Sequence, residues 1–361
     1  MIPTTILYPK FSHPEGRLIL TNITKFFKAS VLTVSLSVAA SFPSYAAELN
    51  FDQWLKELRI EAADKGISAS IIKAALTDIK PYPKAIKSDR AQPEFKRTFV
   101  NYSTKRLSDW RINTGIKKRK QHQQLLNKVA KEYGVQPRFI LSFWGLETNY
   151  GSYTGNNDII RSLATLAFDK RRAAYFRKEL FNALTILDEG HIKLEDMKGS
   201  WSGAMGQGQF MPSSFLRFAQ DFDGDGKKDI WHNQGDVFAS IANYLRHFGW
   251  NDQQTWGRQV TLPDNAKTWL DDVKALKPEK GCRALRVHTD KLTLAQWNDL
   301  GIRRLNTGEL PNVDLQATLI LPDGINGPAF LTYDNYRTIL RYNCANSYAI
   351  TIGLLADKLK S

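Results

Sequence analysis

One carboxylate in this sequence stands where a core residue is expected. Ile140, Phe143, Trp144 and Glu147 recur at i, i+3, i+4 and i+7, the spacing of a single helix face. Burial on such a face disfavours the ionised form of Glu147 and raises its pKa, as a general acid at neutral pH requires. The spacing suits equally a helix-end glutamate bonded to nearby backbone or to an arginine. The stretch from Gly199 to Ser214 holds four glycines in its first ten residues, which implies a tight, closely approached backbone. It lacks the Lys-Ser/Thr of a phosphate loop and the Gly-x-Ser-x-Gly of a nucleophile elbow. Ser200, Trp201 and Gln209 on such a backbone suit a sugar, whose rings stack on aromatics and whose hydroxyls bond amides. They also suit a structural turn into the next helix.

The run Asp221-Phe222-Asp223-Gly224-Asp225-Gly226-Lys227 matches the first positions of an EF-hand-type calcium loop, with Gly226 at the sharp turn and Lys227 offering its carbonyl. Position twelve is His232, which cannot supply two oxygens; Asp236, four residues later, can do so in a lengthened loop. Three carboxylates within five residues repel one another without a cation, so calcium is expected, the other possibility being an ion-free acidic turn. No organic cofactor is implied. The histidines form no His-Glu-x-x-His motif, and no Ser/His/Asp set can be assembled with specificity.

Helices must carry these groups. Phe51, Trp54, Leu55 and Leu58 recur at helical spacing, as do Ile67, Ile71, Ile72 and Ala75, until Pro81-Tyr82-Pro83 interrupts. A basic helix from Arg106 to Gln124 follows, whose Lys117-Lys118-Arg119-Lys120 run reads as a solvated face. Pro137 sits at a helix's first turn and opens the Glu147 segment. Further helices are expected near 171–188 and 236–248. Between 255 and 325 the period changes: Leu315, Ala317, Leu319 and Leu321 alternate as in a strand. Helix returns over 333–360.

At 361 residues, 42% hydrophobic and 24% charged, the chain is no disordered tail, collagen-like rod or small disulfide scaffold. Its net charge of +14 fits a polyanionic partner but does not choose among nucleic acid, anionic lipid and an acidic wall polymer. The N-terminus narrows this. Lys25 and Lys28 precede a short apolar run from Ala29 to Phe42, and Ser44 and Ala46 take the small-residue positions of a cleavage site. The run is too short for a membrane span, so residues 1–46 read as an export signal and the remainder keeps +11. No Cys lies near the cleavage site to carry a lipid, so an exported chain without an N-terminal lipid anchor is expected. Cys282 and Cys344, the chain's two cysteines, lack zinc spacing and either pair or stay free.

Taken in order, Gly145-Leu146-Glu147-Thr148-Asn149-Tyr150-Gly151, the Gly199–Ser214 stretch, the Asp221 loop, Ala242-Asn243-Tyr244-Leu245 and Arg341-Tyr342-Asn343 with Tyr348-Ala349 resemble the lytic murein transglycosylase B family over about residues 50–360. The resemblance implies a mainly α (α+β) fold: a lysozyme-like helical core, an N-terminal helical domain and a small inserted β domain. The expected division is a helical domain over 47–133, a catalytic core with the calcium loop over 134–254, a β-rich insertion over 255–330 and a C-terminal return over 331–361. The family's catalytic acid falls on Glu147. Its sugar-contacting positions fall on Tyr102, Ser200, Trp201, Gln209, Tyr244, Tyr342 and Tyr348, and its paired arginines on Arg171 and Arg172. Its calcium ligands fall on Asp221, Asp223, Asp225, the Lys227 carbonyl and Asp236. Trp201 stands where Phe or Tyr is usual, the ion loop is one residue longer before Asp236, and the lack of a lipidation Cys makes this a soluble rather than anchored member of a periplasmic family.

The activity so implied is cleavage of the bond between N-acetylmuramic acid and N-acetylglucosamine in peptidoglycan strands, without water, by one carboxylate and with a 1,6-anhydro product. Ordinary glycosidases use two carboxylates. The competing readings are a muramidase in which a second carboxylate such as Asp158 activates water, and a murein-binding protein without activity. Nucleic acid has only the basic charge behind it. Arg171 and Arg172 either meet the polymer or support the fold by pairing with buried carboxylates.

Overall fold

Asn50, Ser68, Thr98 and Ser108 each accept a hydrogen bond from a backbone N–H three residues on, and these N-caps punctuate the first part of the chain. The computed structural model describes residues 50–91, 98–273, 275–276 and 281–360, all within one compact unit; the expected export signal, residues 1–46, lies outside them. The caps start α1 (Phe51–Asp64), α2 (Ala69–Leu76), α4 (Phe99–Arg106) and α5 (Asp109–Gln121); α3 (Pro83–Ala91) begins on the proline that interrupts the apolar spacing, and α6 (Gln123–Tyr133) closes the series.

The basic helix expected over 106–124 is therefore divided. Leu107 ends α4, the Ser108 cap turns the chain into α5, and His122 parts α5 from α6. Nor is its basic run wholly solvated: Arg119 Nη1 donates to the Leu359 carbonyl at 2.9 Å, and Lys118 lies 5.7 Å from the centroid of Trp144.

At the centre is α7 (Pro137–Thr148), with proline in its first turn and Phe139 to Gly145 all buried. A helix apolar around most of its circumference must be covered on all sides. Here α5, α6, α11 (Gln234–His247) and α15 (Asn346–Lys358) cover it, while α8 (Ile159–Phe168) packs on α9 (Ala173–Asp188), α9 on α10 (Pro212–Phe218) and α10 on α11. The short antiparallel pair β1 (Asn157–Asp158) and β2 (Lys198–Gly199) joins the loop after α7 to the glycine-rich stretch. A Cβ on Gly155 would lie 2.2 Å from the Gly199 carbonyl oxygen, so this junction admits only glycine there.

The larger sheet comprises β3 (Gly257–Thr261), β4 (Leu292–Thr293), β5 (Arg303–Arg304), β6 (Gln316–Ile320) and β7 (Ala329–Thr332), antiparallel in the order β4-β6-β7-β3-β5. With α12 (Lys267–Leu270) and α13 (Leu294–Asp299) it encloses a second core that includes Val260, Leu294, Trp297, Ala317, Leu319 and Leu331. The alternation read at 315–321 has the right period, but the opposite face of β6 is buried too. Thr318 bonds Thr332 and His288, and Ile320 joins the main core. After α14 (Asp334–Tyr342) a short turn leads into α15, and Cys344 in that turn is disulfide-bonded to Cys282. Among the described residues no helix is long and apolar enough to cross a membrane.

Candidate active site

Three successive left-handed residues, Asn149, Tyr150 and Gly151, stop α7 just beyond Glu147. The Tyr150 ring folds back over Gly145, where a Cβ would come within 2.5 Å of it. Arg111, in the first turn of α5, holds this end in place. Its guanidinium donates to the Gly145 carbonyl at 3.2 Å, to the Asn149 side chain and to the Arg106 carbonyl, so the ends of α4 and α7 share one clamp. Sequence reasoning passed over Arg111, which belongs to no motif.

Glu147 is half-buried as a residue, but its carboxyl is enclosed. Tyr348, from the first turn of α15, donates its hydroxyl to Glu147 Oε1 at 2.5 Å. Burial pushes the Glu147 pKa up to about 7, while the Tyr348 hydrogen bond and the charge of Arg106 pull against it. The Arg106 guanidinium lies 3.8 Å from the centre of the Tyr102 ring on α4. Tyr342 packs 4.7 Å from Phe143 and 4.8 Å from Tyr244, ring centre to ring centre, and donates its hydroxyl to the Gly208 carbonyl at 2.5 Å. Tyr244 is buried and its hydroxyl donates to the Arg341 carbonyl at 2.6 Å. Arg106 at the end of α4, Tyr342 of α14 and Tyr348 of α15 thus face the Glu147 carboxyl on α7, with Tyr244 of α11 packed against Tyr342. The Glu147 charge helps to push the pKa of both Tyr342 and Tyr348 up, behind the larger effect of their burial. A carboxyl that titrates near neutrality can release and recover a proton at one place.

The glycine-rich stretch forms the neighbouring wall. Gln209, left-handed at φ 51°, donates Nε2 to the Thr154 and Gly206 carbonyls, both at 3.0 Å, which leaves its Oε1 to accept. Ser200 Oγ accepts from Ala204 N–H at 2.9 Å and lies 3.1 Å from Ser202 Oγ; Trp201 is half-buried against the main core. Gln207, unmarked in the sequence, is the buried hub of this wall. Asp158 accepts from Arg161 N–H as the cap of α8 and pairs with Lys198 at 3.6 Å, which occupies the carboxylate that a water-activating mechanism would need.

The paired arginines point elsewhere. Arg171 Nη1 lies 3.0 Å from Asp89 Oδ2, and Arg172 Nη2 pairs with Asp89 Oδ1; Asp89, on α3, is buried. Of the two roles open in the sequence, the geometry favours support of the fold, by fastening the α8–α9 connection to α3.

At the acidic loop, Asp221, Asp223 and Asp236 bring carboxylate oxygens within 4.8 Å of one another. Asp225 stands apart from that set: its Oδ1 accepts from Lys227 N–H at 2.8 Å. Asp236 is fully buried at the start of α11 and accepts from Phe222 N–H and Asp229 N–H. Burial, reinforced by the charges of Asp223 and Asp221, still pushes its pKa up to about 6 against those two bonds. Such a donor set, all hard oxygen and crowded with like charge, fits a divalent cation such as calcium.

A family profile described as "Transglycosylase SLT domain" matches residues 50–357. The membrane-bound lytic murein transglycosylase B of Escherichia coli K12 is 31% identical over 265 residues, 72% of this chain, which spans 66% of that relative's length. Among solved structures, SltB3 from Pseudomonas aeruginosa in complex with NAG-anhNAM-pentapeptide is 40% identical, with 86% of this chain and 80% of that one covered at a TM-score of 0.78. The Escherichia coli lytic transglycosylase Slt35 in complex with calcium is 27% identical, with 88% and 94% covered and a TM-score of 0.68.

Proposed function

The chain belongs to the transglycosylase SLT domain family, and from that membership we propose that it is a lytic transglycosylase of peptidoglycan with Glu147 as its acid and base. The observation that carries the mechanism is a single enclosed carboxyl, raised toward neutrality and bonded by Tyr348. Protonated Glu147 gives its proton to the oxygen bridging N-acetylmuramic acid and N-acetylglucosamine as the bond from that oxygen to the muramyl C1 breaks. The muramyl acetamido carbonyl shares the positive charge left at C1. Glu147, now a carboxylate, takes the proton from the muramyl 6-hydroxyl as O6 bonds to C1 and closes the 1,6-anhydro ring. Protons balance within one carboxyl, and no water enters.

Tyr348 orients the acid and Tyr102 seats Arg106 beside it, which holds the ionised form available for the second step. The Tyr342 hydroxyl is committed to Gly208, so its ring is what it offers a sugar. Tyr244 braces Tyr342 from behind, and Gln209 Oε1, with Ser200 and Trp201, borders the glycan path. Residues 134–254 with the returning helices form the catalytic core, and 255–330 an insertion. Asp221, Asp223 and Asp236, with the Lys227 carbonyl, would hold a calcium ion whose charge relieves their mutual repulsion and fixes the loop to α11. A substrate outside the cytoplasmic membrane agrees with the export signal read over residues 1–46.

Mass spectrometry of muropeptides released from purified murein tests the proposal. Products lighter by one water than hydrolysis would give are expected; full-mass reducing-end products would replace it with a hydrolase.

A further inference from the structure

We infer that Asn346, braced by the Cys282–Cys344 disulfide, is a positioning residue that holds Tyr348 against Glu147. The inference rests on the proposed role of Glu147 and adds to it the device that keeps the acid oriented.

Helix α15 opens poorly by its own means. Its N-cap is Ala345, which supplies no side-chain hydrogen bond to the first turn. Yet Tyr348, in that turn, must keep its hydroxyl on Glu147 Oε1. Asn346, the first residue of the helix, is instead fixed from three directions. Its Nδ2 donates to the Ala284 carbonyl at 2.8 Å, and its Oδ1 accepts from the Tyr336 hydroxyl of α14 at 2.9 Å. The same Oδ1 lies 3.0 Å from His288 Nε2. An amide oxygen can only accept, so His288 Nε2 carries the proton and Nδ1 accepts from Thr318 Oγ1, 3.0 Å away on β6. Burial pushes the His288 pKa down to about 4, so the ring stays neutral where the enzyme would work and the lock does not open with pH.

The disulfide ties the same two segments covalently. Cys282 precedes Ala284 by two residues and Cys344 precedes Asn346 by two, so one strap from the β-rich segment meets the start of α15 by a covalent bond and a hydrogen bond. Residues i and i+2 on a helix face different ways. Asn346 and Tyr348 accordingly share a backbone but no side-chain contact is needed between them: fixing the first fixes the direction of the second.

The test compares Asn346→Ala, Asn346→Asp and the double variant Cys282→Ser with Cys344→Ser against the wild type. Each is measured for murein turnover across pH, for murein binding and for melting temperature. The groups facing the Glu147 carboxyl are Tyr348 from α15, Tyr342 from α14, and Arg106 with Tyr102 from α4. Of these only the Tyr348 contact changes. Losing its donation leaves burial less opposed, so the basic limb of the pH–rate profile should move upward, as it should in Tyr348→Phe. Turnover should fall about tenfold, since a misdirected acid costs rate steeply, with binding within about twofold.

A purely structural brace would lower the melting temperature without moving the limb. A limb at the wild-type position in the variants that fold, or in dithiothreitol-reduced wild type if none does, overturns the inference. Failure of the underlying reading looks different: Glu147→Gln would then retain turnover.

Discussion

The indole N–H of Trp144 donates to Gln207 Oε1 at 2.7 Å. That bond joins the helix of Glu147 to the glycine-rich wall, and Gln207 extends it. Its Oε1 also accepts from Gln234 at 2.9 Å, its Nε2 donates to the Trp231 carbonyl at 2.7 Å, and its backbone carbonyl accepts from Thr148 Oγ1 at 2.9 Å. One buried amide thereby registers three segments around Glu147.

Gln207→Leu should accordingly destabilise the protein by about 2–4 kcal/mol, because the Trp144 N–H and the Trp231 carbonyl lose buried partners and cannot reach water. Denaturant unfolding measures the loss. Turnover should fall as well, because the wall bearing Gln209 loses its anchor to α7.

Glu147→Gln should abolish turnover with murein binding retained, since the amide keeps the shape and can still accept from Tyr348 but moves no proton. Its effect on stability should depend on pH. A carboxyl raised to about 7 on folding favours the folded state below its ordinary range near 4.5, and that contribution is lost as pH rises through about 7. Gln carries no such loss. The variant should match the wild type near pH 4 and exceed it by on the order of 1–3 kcal/mol at pH 8 and above, as thermal melts across that range would show.

Calcium should raise the melting temperature and a chelator lower it, because binding stabilises the folded state by RT ln(1 + [L]/Kd), about 2.7 kcal/mol at a hundredfold excess over Kd. Asp236→Asn should erase the response, because that carboxylate is both buried and within the oxygen cluster. Asp225→Ala should weaken it less, through the lost bond to Lys227 N–H. Identical melts with calcium and with chelator would leave the loop an acidic turn.

Asp89→Ala should lower stability by about 1–2 kcal/mol, less than for a fully buried pair, because both guanidiniums keep access to water. Arg171→Ala should lower the melting temperature and cost turnover equally at low and high salt. A turnover loss confined to low salt, with an unchanged melt, would return Arg171 to the substrate.

The sequence announces Glu147 because helical periodicity makes a charged residue on an apolar face conspicuous. It announces the acidic loop because Asp-x-Asp-x-Asp-Gly is a local pattern. Gln207 and Arg111 carry no such sign: their partners are backbone carbonyls and side chains from distant segments, and a glutamine or arginine in one dimension is most often a surface residue. Arg171 and Arg172 stay ambiguous in the sequence for the related reason that the carboxylate they meet, Asp89, lies 82 and 83 positions away. At β6 the alternation fixes the strand, but Thr318 looks solvent-facing until the His288 and Thr332 groups that satisfy it come into view. The divided basic helix was legible in principle, since Ser108 followed by Asp109 is a strong N-cap signal.

Glu147 and Tyr348 are 201 positions apart. As the chain is synthesised, Glu147 emerges well before its partner, and the helix bearing Tyr348 follows every other described helix. Until that helix docks, the carboxyl has neither its hydroxyl donor nor the cover of α15. On the mechanism proposed above, truncation before Asn346 should yield a protein without murein turnover, however well its earlier helices pack.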